Sequence, residues 1–121
     1  MAQSGGQLFV VSLTNAIQIH PSEESRKQFA MLLQINDVLY PDQRITAHCR
    51  QNGIAVLSLV PGMQAHAQKH NRFLHGFENT TLGQGHWNAA GHLVAGSLIV
   101  DWLEQELAGA ASEIQPVSHE E

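Results

Sequence analysis

Two short apolar runs stand out against the polar stretches of the chain. They are Leu8-Phe9-Val10-Val11-Ser12-Leu13 and Ile54-Ala55-Val56-Leu57-Ser58-Leu59. Nearly continuous runs of this length, rich in β-branched residues, predict strands buried on both faces, the parallel-sheet type. Between them the period lengthens. Ser22 precedes Glu23-Glu24, a helix start with acids in the first turn. Phe29, Leu32 and Leu33 follow at i, i+3, i+4 and predict an apolar helix face. That helix is expected to end before Pro41, and Pro41-Asp42 to open a second one. Ile45 and Cys49 are expected on the inner face of the second helix, and Gly53 after Asn52 is a helix stop.

Pro61-Gly62 is expected to end the second strand, and residues 63–71 read as a short polar helix. Residues 72–85 are loop-like, punctuated by Gly76, Gly83 and Gly85. Residues 88–107 form the clearest element, a helix with Ala95, Leu98, Ile99 and Trp102 on one stripe. Cys49 is expected in the core, because a free cysteine behaves as a small hydrophobe. Strands separated by helices predict an α/β fold with a parallel pair. Two strands make a small sheet against the usual 5–6 or so. The fold is therefore expected to be completed by dimerisation, through an apolar interface involving the sheet or the Trp102 helix.

Composition narrows the function. The 121 residues suffice for one domain. We expect a flexible N-terminus over 1–7, one domain over 8–108, and a small, acidic, frayed tail over 109–121. Six Lys+Arg against eleven Asp+Glu, with no basic cluster, leave nucleic acid without an electrostatic footprint. No apolar stretch is long enough to span a bilayer and no signal-like segment is visible, so the chain as it stands is expected to be cytoplasmic. A single cysteine excludes an internal disulfide framework. Phosphate-binding and dinucleotide fingerprints are absent, so no cofactor is implied.

The unusual count is eight histidines. His66 and His70, at i, i+4, could share a metal with His75. No glutamate lies between them and no further ligand is indicated, so a solvated helix face is the better reading and no metal site is assigned. His86 belongs to Gly85-His86-Trp87-Asn88-Ala89-Ala90-Gly91-His92, immediately ahead of the long helix. Asn88 is a good N-cap there, and a neutral imidazole at such a position can act as a general base.

This segment resembles the last sequence block of the SGNH/GDSL hydrolases, H-[PWxF]-N-x-x-G-H. His86 matches the family's catalytic base, and Asn88, Gly91 and His92 match the rest of the pattern. The Tyr40-Pro41 to Pro61 region and the helix after His92 are similar to the family's flanking elements. The resemblance therefore covers most of residues 8–107 and corresponds to the carboxyl-terminal half of such an enzyme. It implies a partial flavodoxin-like, three-layer fold, with His86 as the catalytic position and Trp87, Asn88 and His92 as binding residues. By resemblance, the substrates are carboxylic esters such as acetylated sugars or lipids.

The departures decide the function class. The chain has no G-D-S nucleophile block and no G-x-N-D block. Gln84 and Gly83 stand where the family's triad acid belongs, and Glu78 is in another register. Val11-Ser12-Leu13-Thr14-Asn15 faintly echoes the nucleophile block, but Leu8 to Leu13 aligns better with the family's penultimate strand. Ser12 is then an ordinary strand residue. A histidine with neither serine nor acid is not a hydrolytic site. The leading expectation is a truncated SGNH-like domain acting as a non-catalytic binding or scaffold protein, as a homodimer. The alternatives are an esterase whose nucleophile comes from another segment or chain to meet His86, and a histidine-rich metal-binding domain.

Overall fold

The computed structural model describes residues 6–77 and 81–118, with side chains through residue 109. It is a mixed α/β fold. The order is β1 (Phe9–Ser12), a 3-10 turn (Ala16–Ile19), α1 (Glu23–Leu32), α2 (Tyr40–Gln51), β2 (Ala55–Ser58), α3 (Val60–His70) and α4 (Ala89–Ser118). The two strands pair in parallel, Phe9 with Ala55 through Ser12 with Ser58. No helix among the described residues is long and apolar enough to cross a membrane.

Strand alternation sorts the side chains. Phe9, Val11 and Leu57 face α3 and α4. Val11 and Leu57 pack on the core of Ile19, Leu59, Val60, Met63, Ala67, Leu74 and Ala95. Phe9 meets Trp102 of α4 edge to face at 5.7 Å. Ser12 and Ser58 face α2 instead, where both hydroxyls donate to Oδ2 of Asp42, at 2.8 and 2.7 Å. Helices thus lie on both faces of the pair. The strands are nevertheless only half-buried, apart from Ser12. The expectation of full burial fails because a two-stranded sheet leaves each strand one unpaired edge.

Asp42 is buried, at 5% exposure. Its other oxygen accepts from Nε2 of Gln18 at 2.9 Å, and the same Gln18 nitrogen reaches the Val38 carbonyl at 3.0 Å. Oε1 of Gln18 accepts from the Asn15 backbone N–H at 2.8 Å. One carboxylate therefore ties both strand ends, the 3-10 turn and the first turn of α2. A buried charge is tolerated only with such partners.

Three helices differ from their expected faces. In α1 the buried positions are Arg26 and Ala30, while Leu32 and Leu33 are exposed. Arg26 turns inward because its guanidinium donates to the His20 carbonyl and to Oε1 of Gln68. The helix stops at Leu32, well short of Pro41, and Gln34 follows at φ 57°. In α2 Cys49 is buried as expected, but Ile45 is 44% exposed, because the covered stripe runs through Asp42 and Cys49. Asn52 and Gly53, the latter at φ +68°, end this helix as expected.

The expected polar helix is α3, and its inner face is the centre of the core. It begins at Val60 with Pro61 in the first turn, so Pro61-Gly62 lie inside this helix rather than ending β2, which stops at Ser58. Val60, Met63 and Ala67 are fully buried. α4 carries the expected stripe: Ala95 is buried, and Leu98 and Ile99 pack on the core. Its backbone continues past 107 to Ser118.

Asp42→Ala would leave two serine hydroxyls without their acceptor and Gln18 with only the Val38 carbonyl. It is expected to lower stability by about 3 kcal/mol, whereas Ile45→Ala at an exposed position should change it by less than about 0.5 kcal/mol. Urea unfolding of both variants checks this; equal losses would contradict the assigned faces.

Candidate functional site

Parallel strands place ligand sites at their carboxyl ends. Beyond Ser12 the chain leaves β1 through Leu13, Thr14 and Asn15. These residues line a cleft of about 700 Å³ together with His75, Gly85, His86, Trp87 and His92. Three segments distant in sequence meet there: the β1 end, the loop after α3, and the start of α4.

The loop is held by a small antiparallel clasp. His75 bridges Trp87. The backbone N–H groups of Gly76, Gly83 and Asn88 donate to the carbonyls of His86, His75 and Leu74, at 2.8, 2.9 and 3.0 Å. Gly76 sits at φ +93°, and a Cβ there would come within 2.6 Å of the Thr81 carbonyl oxygen, so the clasp closes only around glycine. Asn88 joins the clasp to α4. Its Oδ1 accepts from the Gly91 N–H at 2.9 Å, the N-cap bond expected of it, and its Nδ2 donates to the Phe73 carbonyl at 2.9 Å. At Gly91 a Cβ would lie 2.2 Å from the Leu74 carbonyl oxygen. Asn88 and Gly91 thus have structural tasks that by themselves account for an N-x-x-G spacing.

The cleft's polar pattern centres on His75, which is buried at 5% exposure. Its Nδ1 lies 2.6 Å from the Gly85 carbonyl oxygen. A carbonyl only accepts, so Nδ1 carries the proton and donates. Nε2 lies 2.9 Å from the Thr14 hydroxyl. Burial holds the His75 pKa below its ordinary value of 6.5; nearby His86 acts in the same direction, and the Gly85 carbonyl opposes them. The ring is therefore neutral, its Nε2 lone pair is free to accept, and the Thr14 hydroxyl donates to it. Trp87 Nε1–H donates in turn to Thr14 Oγ1 at 2.8 Å. The Trp87 ring meets His92 edge to face at 5.4 Å.

The candidate residues His86, Trp87 and His92 all line this cleft, while Asn88 sits beneath it as the cap. His86 is exposed on the rim. No carboxylate lines the cleft among the described residues, and Glu78 lies outside them. Ser12 faces the other side of the sheet, donating to Asp42. Sequence reasoning gave Thr14 no role of its own and weighed His75 only as a metal ligand. The available signal was the position of Thr14 just past a strand's carboxyl end.

His66 and His70 stack at 4.4 Å on α3. Burial and then the charges of His70, Arg72 and Lys69 hold the His66 pKa below 6.5. The Arg72 and Lys69 charges disfavour a metal cation there. His75 does not join this pair, since both its nitrogens are engaged at the cleft. The described residues contain no group of three or more His, Cys, Asp or Glu side chains placed to hold a metal ion.

Comparison with protein-family models, curated proteins and solved structures finds no match to this chain.

A histidine whose folded pKa is lowered binds fewer protons than it does in the unfolded chain. Its contribution is complete above pH 6.5 and is lost as pH falls below that value toward the folded pKa. The melting temperature is expected to fall between about pH 7 and about pH 5, and less steeply in His75→Gln. An identical slope in the variant would contradict the buried, neutral assignment.

Proposed function

We propose that the chain is a ligand-binding domain of the SGNH-hydrolase type, without that family's hydrolytic turnover. Its cleft takes a small neutral ligand bearing a carbonyl, of the carboxylic ester or acetylated-sugar class. The observation that carries this reading is the cleft at the carboxyl end of β1. It is lined by Thr14, His75, His86, Trp87 and His92, with no lining carboxylate among the described residues and Ser12 committed to Asp42 on the opposite face. The Thr14 hydroxyl, the Trp87 indole and the absence of a lining carboxylate among the described residues suit an uncharged polar ligand. His86 is the rim imidazole in this reading and Trp87 the cleft wall. The family part of this reading rests on the sequence resemblance of the Gly85 to His92 segment.

NMR titration of the full chain with an acetylated monosaccharide is expected to give saturable shifts at Thr14, His75, Trp87 and His92. Steady-state p-nitrophenyl ester turnover is expected to be no higher for the wild type than for His86→Ala. Turnover that vanishes in His86→Ala would establish the esterase alternative instead.

The finer architecture belongs to the same proposal: a partial flavodoxin-like, three-layer fold completed by a second copy of the chain. Its support is the exposed apolar surface. Leu93, Val100 and Leu107 form a seven-residue-spaced exposed stripe on α4, at 73, 54 and 57% exposure. Each strand also has an unpaired edge. Light scattering at micromolar concentration is expected to give a dimer that Leu93→Glu/Val100→Glu reduces to a monomer; a monomeric wild type would contradict it.

A further inference from the structure

The hydroxyl of Thr14 is bonded as the attacking group of a nucleophilic relay is bonded. We propose that Thr14 is an acyl acceptor: its Oγ1, activated by Nε2 of His75, takes an acyl group from an activated ester bound in the cleft. This rests on the ligand reading above and extends it from binding to a single covalent transfer.

Four observations converge on it. The Thr14 hydroxyl to His75 Nε2 separation is 2.9 Å, within proton-transfer distance. The Gly85 carbonyl takes the Nδ1 proton at 2.6 Å, which fixes the tautomer and aims Nε2 at the hydroxyl. That is the orienting task an acid performs in a Ser-His-Asp triad, performed here by a backbone oxygen. The Trp87 indole N–H, 2.8 Å from Oγ1, occupies one lone pair of the oxygen and leaves the second for attack. Finally, Thr14 is half-exposed and lines the cleft, while His75 behind it is buried. The nucleophile can be reached and its base is shielded from water.

The step balances without a cofactor. Oγ1 bonds to the acyl carbon as its proton passes to Nε2 of His75. The bond from the acyl carbon to the leaving oxygen then breaks, the electron pair stays with that oxygen, and Nε2 returns the proton to it. The products are acyl-Thr14, a neutral His75 and the free alcohol or phenol. A carbonyl orients the imidazole but carries no full negative charge to stabilise an imidazolium, so a good leaving group such as a phenol is the fitting donor. A structural role alone would hold the same atoms together but would give Thr14 no reactivity beyond that of a free hydroxyl.

The test is to incubate the full folded chain with p-nitrophenyl acetate and read intact mass and peptide maps over time. One acetyl group on Thr14 is expected, released only slowly. Thr14→Val should lose it, Thr14→Ser should keep it, and His75→Gln should slow it by about 100-fold or more. Thermal unfolding of each variant shows that it remains folded. Acetylation that spares Thr14, or that proceeds there equally fast in urea, would overturn the proposal. So would undiminished Thr14 acetylation in folded His75→Gln. The two readings fail separately. Saturable binding of the acetylated sugar without Thr14 acetylation removes the acyl-acceptor assignment and keeps the binding domain. Thr14 acetylation without saturable sugar binding does the reverse.

Discussion

The Asp42 carboxylate is the constraint on which the rest of the fold hangs. It accepts from the last residue of each strand, Ser12 and Ser58, and from Gln18 in the 3-10 turn. These groups come from distant parts of the chain and meet only when the parallel register is correct. A one-residue slip would turn the hydroxyl of the slipped strand to the opposite face and take one partner from the buried carboxylate. In a sheet of two strands, where pairing gives little, this polar knot specifies the register. It also fixes where the chain goes after β1, because Asn15 is bonded to Gln18. That places Thr14 at the mouth of the cleft.

A second knot faces the first across the strand end. Asn88 caps α4 and holds the Phe73-Leu74 backbone, and Gly91 permits the close approach. Together they carry His75 to Thr14. The two knots divide the work. One sets the sheet and the exit of β1; the other sets the helix and the loop. The hydrogen bonds from Thr14 to His75 and from Trp87 to Thr14 are where they meet. The dry side of this junction is the α3–α4 core, with Met63, Ala67 and Leu74 fully or nearly fully buried. Burial at this junction holds the His75 pKa below its ordinary value.

Local signals were legible in the sequence. Asn88 as a cap, Ser22 as a helix start, Gly53 as a stop and the two strands all follow from residues within a turn or two of one another. Which face of each helix is covered was not legible. Leu32, Leu33 and Ile45 satisfy an amphipathic pattern but lie exposed, because the polar anchors Arg26 and Asp42 decide which stripe turns inward. The site was legible only in part. The Gly85 to His92 segment marks the right end of the molecule, yet a central polar contact of the cleft joins Thr14 to His75, 61 positions apart. No local pattern reports such a contact, and a backbone carbonyl as the orienting acceptor leaves no trace in residue identity.

The most direct measurement is the tautomeric state of His75, read from long-range 15N–1H NMR correlations near pH 7. The account predicts a neutral ring protonated at Nδ1, with a slowly exchanging Nδ1 proton and an Nε2 resonance that moves in Thr14→Val. A ring protonated at Nε2, or an imidazolium, would contradict it, because neither can accept the Thr14 proton.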